Sequence, residues 1–493
     1  MTTEDRQPEP SNDAPRADTP ARGASGPEES VAVLVRQTVE FLVVLSLCIL
    51  LFRTFAAEAY IVPTGSMAPT LLGLHKELVC TNCKSRFVLG MDERGRAGRP
   101  VCPNCGKVEP DSTVAVPSNG DRLLVQKYLF DFRRPRRWEV AVFLSPAEPN
   151  QAYVKRVVGL PGEAIQIRGG DLFIDGKIAR KSLAELRAIR QLVYDNNFLP
   201  DDSDRFPRWV FRRGRTRLST PSGWKAVGTG FVHEPSPNDG DRVDWLDYRH
   251  WDPDTGRYGP VRDFTSYNGG DLRGDNLVTD LILDAKVAPR PDAKSIVLQF
   301  DAGGDAVFVI LPVDGRANPE VRRNGKLYRV ENPRGVIAST ASTRIEASVV
   351  DRRLIVALDG RLAFDPIDFD EPAVGIGRFA SPISIGVQGG GLSVTDLKLY
   401  RDVHYTSALA NAPRRPFGVD TAYVLGRDEY FVLGDNSPIS NDSRFWADSP
   451  VVRRKDFLGK PFLVHLPGQL STLKVFGRSI CWIPDPREIR YIR

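Results

Sequence analysis

Short runs of β-branched and aromatic residues, each closed off by glycine, proline or a polar turn, constrain this chain more than any other feature. Leu123-Leu124-Val125, Glu139 to Phe143 and Tyr153 to Val158 follow one another closely. Ile165-Gln166-Ile167 and Leu172-Phe173-Ile174 flank Gly169-Gly170, the pattern of a hairpin. Alternation returns at Ser295 to Phe300, Ala306 to Leu311, Arg344 to Val350, Arg353 to Leu358, Ile383 to Val387 and Leu392 to Tyr400. Asp359-Gly360 reads as a tight turn inside that series. Side chains of period two line the two faces of a sheet. The expected fold is therefore mainly β. Only Leu183 to Val193, with Ala, Glu and Leu at helical spacing, reads as a short helix in this region.

With 493 residues the chain has room for about three domains. The runs group into a discontinuous all-β body (57–79, 117–181 and 413–470) and an inserted β-sandwich of jelly-roll type (192–403). A net charge of +5, with no basic stretch carrying interleaved aromatics, argues against a nucleic-acid partner. Residues 1–30, rich in Pro, Ser, Asp, Glu and Arg, read as a disordered tail. Residues 471–493 read as a basic tail flecked with aromatics.

The apolar stretch builds from Val31 and is continuous from Phe41 to Phe52 apart from Ser46. That run is shorter than the roughly 20 residues a bilayer span needs. A transmembrane helix over 31–56 could still place Arg36, Gln37 and Glu40 at one boundary and Arg53 at the other. The competing readings are a buried core helix and a cleaved signal sequence. The acidic tail lacks the basic start of the latter, which favours a retained anchor. Arg6, Arg16, Arg22 and Arg36 against Arg53 lean weakly toward a cytoplasmic N-terminus.

Cys80-Thr81-Asn82-Cys83 and Cys102-Pro103-Asn104-Cys105 form two CxxC knuckles separated by residues 84–101, inside an insertion over 80–106. The spacing matches a zinc ribbon, in which Cys80, Cys83, Cys102 and Cys105 close a tetrahedral shell around structural Zn²⁺. Two disulfides or a redox CxxC are the alternatives.

Three segments carry candidate chemistry. Pro63-Thr64-Gly65-Ser66-Met67-Ala68-Pro69-Thr70-Leu71 presents one serine on a stiff, proline-bounded turn. Tyr153-Val154-Lys155-Arg156-Val157-Val158-Gly159-Leu160-Pro161-Gly162 places a lysine within a strand. Gly434-Asp435-Asn436-Ser437-Pro438-Ile439-Ser440-Asn441-Asp442-Ser443-Arg444 is a turn dense in hydrogen-bonding groups. Read singly, Ser66 is a solvated turn residue and Lys155 a strand lysine whose head escapes to water.

Together, and with Gly120-Asp121-Arg122-Leu123-Leu124-Val125-Gln126-Lys127-Tyr128 between them, these segments resemble type I signal peptidase. The four motifs cover roughly a third of the chain. The resemblance implies a membrane-anchored serine endopeptidase of antiparallel sheets that cuts signal peptides from exported preproteins after small residues. It implies Ser66 as nucleophile and Lys155 as base, with no histidine and no cofactor for catalysis. It implies an oxyanion held by the Ser66 N–H and the Thr64 hydroxyl, where many relatives have serine at the second position. Ser440 would orient the Lys155 amine, Asp442 with Arg444 would pin the loop, and Asp435 and Asn436 would shape the turn. Signal peptides, the lipid bilayer and the secretion translocon are the implied partners. The implied location is the cell membrane, with the catalytic body on the outer side. The inserted sandwich more weakly resembles concanavalin-like lectin and laminin-G domains, and reads as a glycan- or peptide-binding module or as a spacer. The rival function is an anchored binding protein built on a decayed protease scaffold.

Overall fold

The computed structural model describes residues 27–55, 57–92, 94–110, 117–146, 148, 150–201, 203, 206–213, 222–235, 242–252, 256–270, 272, 274–370, 381–407, 416–475 and 478–492. The expected disordered tail falls largely outside these residues. By packing, the chain divides into one unit ending at Ala56 and another from Ala57 to Arg493.

The first unit is a helix, Pro27–Phe55. Among the described residues no helix is long and apolar enough to cross a membrane, so the span expected over 31–56 is not upheld. Arg36 pairs with Glu40 one turn on, at 2.7 Å.

In the second unit the main sheet is antiparallel. Its order is Ala57–Ile61, Arg122–Gln126, Phe457–Leu466, Val140–Leu144, Ala152–Gly159, Glu429–Leu433, Val452–Arg453, with Arg490–Tyr491 beside Phe457–Leu466. The β-branched runs account for its centre, because Val140–Leu144, Ala152–Gly159 and Glu429–Leu433 bury residues on both faces. Ala141, Phe143, Val157 and Val432 pack on one side with Tyr430 and Trp446. Val158, Phe431 and Leu433 pack with Ile165 and Leu425 on another. A second sheet pairs Lys177–Ile178, Asp171–Ile174, Ala164–Arg168 and Tyr423–Val424.

Two larger antiparallel sheets, of nine and seven strands, share one core and form the sandwich. Leu283, Val287, Ile345 and Val356 come from the first sheet, and Ile296, Leu298, Val309 and Ile385 from the second. Trp224 and Trp245 are buried there rather than displayed. The expected helix at 183–193 is shorter, Leu183–Ile189. It begins with a capping box in which Ser182 N–H donates to Glu185 at 2.6 Å. Gln191–Asp195 is instead a strand paired with Leu392–Arg401, because Leu192-Val193-Tyr194 gain more from that ladder than from another helical turn. The basic end is not a loose tail, since Leu470–Val475 pairs with Arg478–Pro484 and Arg490–Tyr491 joins the main sheet.

Body and sandwich meet at a carboxylate cluster. Oxygens of Asp171, Asp280 and Asp351 lie within 4.8 Å of one another. Lys181 Nζ donates to Asp351 at 2.8 Å and to Asp402 at 2.7 Å. Burial, then the charge of Asp351, pushes Asp171 up to about 7. Burial and the charge of Asp402 push Asp351 up to about 6. A carboxyl pKa raised by folding means protonation favours the fold. That contribution is complete below the unfolded value near 4 and is lost as pH rises through the folded value. Asp171→Asn is therefore expected to stabilise the protein by about 1–3 kcal/mol at pH 8 and by little at pH 4, read from denaturant unfolding at the two pH values.

Candidate active site

Ser66 sits in a single 3₁₀ turn, Gly65–Met67, entered from extended Thr64. Two prolines and a glycine make this turn tight, and Met67 and Leu71 anchor it in the core beside Val125 and Val142. The turn is also held from across the body. Asn436 N–H donates to the Ser66 carbonyl at 3.0 Å, and Asn436 Nδ2 to the Gly65 carbonyl at 3.0 Å. Asp121 accepts from Leu72 N–H at 2.9 Å, Gly468 N–H at 2.8 Å and Arg490 at 2.7 Å, clamping the end of the serine segment to the C-terminal strands.

Lys155 lies on the strand Ala152–Gly159, opposite Ala141. Its Nζ is 2.5 Å from Ser66 Oγ. Both side chains are buried, Lys155 at 4% exposure and Ser66 at 7%. Burial lowers the Lys155 pKa to about 8; Asp442 pulls it back up and Arg444 pushes it down. Met67 and Val157 are fully buried, and the Tyr153 ring lies 5.6 Å from Nζ. The Thr64 hydroxyl stands 3.5 Å from Ser66 Oγ on the exposed side of the turn.

Arg156 is a group whose role the sequence did not reveal. Alternation puts it on the other side of the strand from Lys155. There it is 1% exposed and forks onto Asp435, Nε to Oδ1 at 2.7 Å and Nη2 to Oδ2 at 2.6 Å. Thr70 Oγ1 donates to the same carboxylate at 2.5 Å. Asp435 thus ties the serine segment, the lysine strand and the late loop together, which is more than shaping a turn. Asp442 and Arg444 form a fully buried pair at 2.7 Å, and Arg444 also donates to Thr406 O and Ser437 Oγ. Asp442 accepts from Gly434 N–H at 3.0 Å. A Cβ at Gly434 would fall on the Ser440 hydroxyl and the Ser66 carbonyl, so only glycine allows the two loops to meet here. Ser440 departs from expectation. Its Oγ is buried without a hydrogen-bond partner and does not donate to or accept from Lys155.

The inserted sandwich also reaches the site, which no motif announced. Asn268 exchanges two side-chain hydrogen bonds with Asn436, at 2.9 and 2.7 Å. Tyr267 packs on Ala68 and Leu72 and donates to the Leu74 carbonyl at 3.0 Å. Its ring occupies the space a side chain at Gly65 would need.

The four cysteines converge at some distance in sequence from both. Cys80 and Cys105 sulfurs are 3.5 Å apart, Cys83 and Cys102 sulfurs 3.6 Å. A disulfide needs about 2.05 Å, so these pairs are unbonded thiols. All four sulfurs lie within 4.8 Å of one another. Four ligands at the usual Zn–S distance stand about 3.8 Å apart, so the donor set fits a tetrahedral metal.

A buried serine hydroxyl against a buried lysine amine is the arrangement of serine–lysine hydrolases. Comparison with known proteins narrows this. The profile described as "Signal peptidase, peptidase S26" matches residues 106–210 and 385–466, running into the sandwich at both ends. The signal peptidase I of Leptolyngbya laminosa is 30% identical over 176 residues, covering 34% of this chain and 63% of that relative. The signal peptidase I of Bacillus caldolyticus is 30% identical over 152 residues, covering 29% of this chain and 77% of that relative. That of Pseudomonas fluorescens is 29% identical over 137 residues, covering 27% of this chain and 36% of that relative. The chain thus spans 63% of the first relative's length, just under two thirds, and more of the second. This chain belongs to the signal peptidase I family, peptidase S26. Among solved structures, the carbohydrate-binding module CBM66 from Bacillus subtilis aligns at 11% identity and a TM-score of 0.21, over 40% of this chain and 93% of that chain. A likeness that slight says nothing of a ligand.

Removing the Asp435 carboxylate would strand the buried Arg156 charge. Asp435→Ala is therefore expected to destabilise the second unit by about 3–5 kcal/mol, measured by chemical denaturation against Asp435→Asn as the milder change.

Proposed function

We propose that this chain is a membrane-associated serine endopeptidase that removes signal peptides from exported preproteins with a Ser66–Lys155 dyad. The observation that carries this reading is the 2.5 Å contact between Lys155 Nζ and Ser66 Oγ inside a buried, largely apolar setting. A serine hydroxyl needs a base, and a lysine serves only when neutral. Burial brings Lys155 to about 8, near working pH. Neutral Lys155 takes the Ser66 proton as Oγ attacks the scissile carbonyl, and returns it to the leaving amine. The acyl-enzyme on Ser66 is then hydrolysed by water, with Lys155 again the base. The Ser66 N–H and Thr64 hydroxyl hold the oxyanion in this scheme.

The substrate would bind extended. Ala57–Ile61 is the terminal strand of the main sheet and pairs only with Arg122–Gln126 among the described residues, so its other edge is open and leads directly to Ser66. Signal peptides, with small residues before the cut, are the substrates the family resemblance supports. Localisation at the outer face of a cell membrane, beside the secretion translocon, belongs to the same proposal. Its support is the helix Pro27–Phe55, whose described apolar side chains, Leu34, Phe41, Val43 and Ile49 among them, are exposed. The decayed-scaffold alternative is not favoured, since serine and lysine are both present and in contact.

Structural Zn²⁺ in the Cys80, Cys83, Cys102 and Cys105 site is proposed as well. It would hold the ribbon's own turns together and leave no open position for chemistry.

Two experiments test these readings. With purified protein and a preprotein, Ser66→Ala and Lys155→Ala should each cost roughly 10³-fold or more in kcat while retaining the fold. Wild-type kcat/KM should rise about tenfold per pH unit below 8 and level above it, as Lys155 loses its proton. Full activity in Lys155→Ala would end the dyad reading. For the metal, elemental analysis should give about one zinc per chain, and a chelator should release four titratable thiols and lower the melting temperature. Metal-free protein with two stable disulfides would refute it.

A further inference from the structure

A cavity of about 870 Å³ lies behind the serine segment, walled by Thr70, the cysteine insertion, the helix Leu183–Ile189, the sandwich and the C-terminal strand. We propose that it binds an amphipathic carboxylate, an aliphatic chain ending in an acid group.

The charged end of the argument is Arg208. This side chain lines the cavity and is 7% exposed. Its Nη1 is buried without a hydrogen-bond partner, and Nη2 reaches the Asn104 carbonyl only at 3.5 Å. Among the described residues it makes no ion pair. Arg401, also in the wall, is 3% exposed and donates only to neutral acceptors, the Asp402 and Phe264 carbonyls and the Gln191 amide oxygen. Of the other arginines in the lining, Arg86 is exposed, Arg262 donates to the Asp275 carbonyl, and three are ion-paired. Arg187 pairs with Glu346, Arg190 with Asp284 and Glu346, and Arg490 with Asp121. His250 does not relieve the imbalance, because burial and then the Arg208 charge drive it down to about 3 and keep it neutral. A buried guanidinium without an anion is costly, and a carboxylate supplies the fork that matches it.

The apolar end follows from the remaining wall. Phe87, Val88, Val101, Leu192, Val261 and Phe264 leave room for a chain and offer little to a small hydrated ion. The wall is rich in arginine yet more apolar than polar, and a cavity of this size suits a ligand of drug-like bulk rather than phosphate alone. The site is distinct from the Ser66–Lys155 centre, although Thr70, which lines it, also holds Asp435.

The test is calorimetric titration of the full chain with decanoate, decanol and inorganic phosphate, with decanoate below its micellar concentration. Saturable decanoate binding is expected, at least tenfold tighter than decanol or phosphate. Arg208→Met should weaken decanoate at least tenfold with cleavage activity unchanged. Should that variant fail to fold, Leu192→Trp, at an exposed position of the wall, should block the same binding by bulk. Equal affinity for decanol would overturn the charged half of the proposal, and equal affinity for phosphate the apolar half. Unaltered decanoate binding in Arg208→Met or, if that is unfolded, in Leu192→Trp would overturn it outright.

Discussion

The site depends on keeping one amine dry. In the proposed mechanism Lys155 serves as a base only because water is kept from it, and the rest of the body reads as the apparatus for that. A bare carboxylate nearby would favour the ammonium and undo the effect of burial. Two buried aspartates do lie close enough to matter, Asp442 and Asp435, and both raise the lysine's pKa. Each is matched by its own arginine, Asp442 by Arg444 and Asp435 by Arg156. The pairs brace the loops, and Arg444 opposes the pull of Asp442 at the lysine. Desolvation therefore wins, and Lys155 remains the basic group nearest Ser66 without a carboxylate of its own.

Positioning falls to hydrogen bonds that converge on the backbone of the serine turn. Asn436 is the hub, because its N–H and side chain take the carbonyls of Ser66 and Gly65 and leave Oδ1 for Asn268. Amide–carbonyl bonds of this kind are worth about 1 kcal/mol each in net stability. Their larger effect is geometric, since a turn held on both sides cannot swing Oγ away from the amine. Asn268 and Tyr267 belong to the inserted sandwich, so that domain is part of the frame of the site and not merely appended to it.

Much of this was legible in the residues. Ala306 to Leu311, Arg353 to Leu358 and Ile383 to Val387 lie in strands where alternation placed them. Ser66 and Lys155, each bland when read alone, were singled out by the resemblance of their motifs to type I signal peptidase, and the structure brings them into contact. Other features were not local. Arg156 and Asp435 are separated by most of the chain, and nothing in either segment names its partner. Ser440 looked like an orienting hydroxyl, but hydrogen bonding depends on how two loops pack, and its buried Oγ has no partner here. The helix expected over 183–193 stops at Ile189 for a similar reason. Leu192 and Val193 suit a helix stripe and a strand equally well, and the long closing strand decided between them. In the N-terminal segment the apolar run pointed to a helix, and Pro27–Phe55 is one, with Arg36 and Glu40 inside it.

A large insertion could be expected to disturb a site whose parts must meet within a few tenths of an ångström. The topology explains why it need not. Gln191–Asp195, where the chain enters the sandwich, pairs antiparallel with Leu392–Arg401, where it leaves, and Gln191 lies directly opposite Arg401. Entry and exit are thus neighbours in one ladder, and to the body the insertion resembles a loop whose ends are already closed. Loop-closure cost grows only slowly with length, so the residues between add little penalty once those ends are joined. The cysteine insertion uses the same stem. Asn104 accepts from Asp195 N–H at 2.7 Å and donates to the Phe198 carbonyl at 2.8 Å, while Asn82 accepts from Asp201 N–H at 2.9 Å. Both insertions therefore bear on one short segment, and Gln191 at its start donates to the Asp435 carbonyl. Through that bond the stem of the insertions and the turn that faces Ser66 share a single rigid connection.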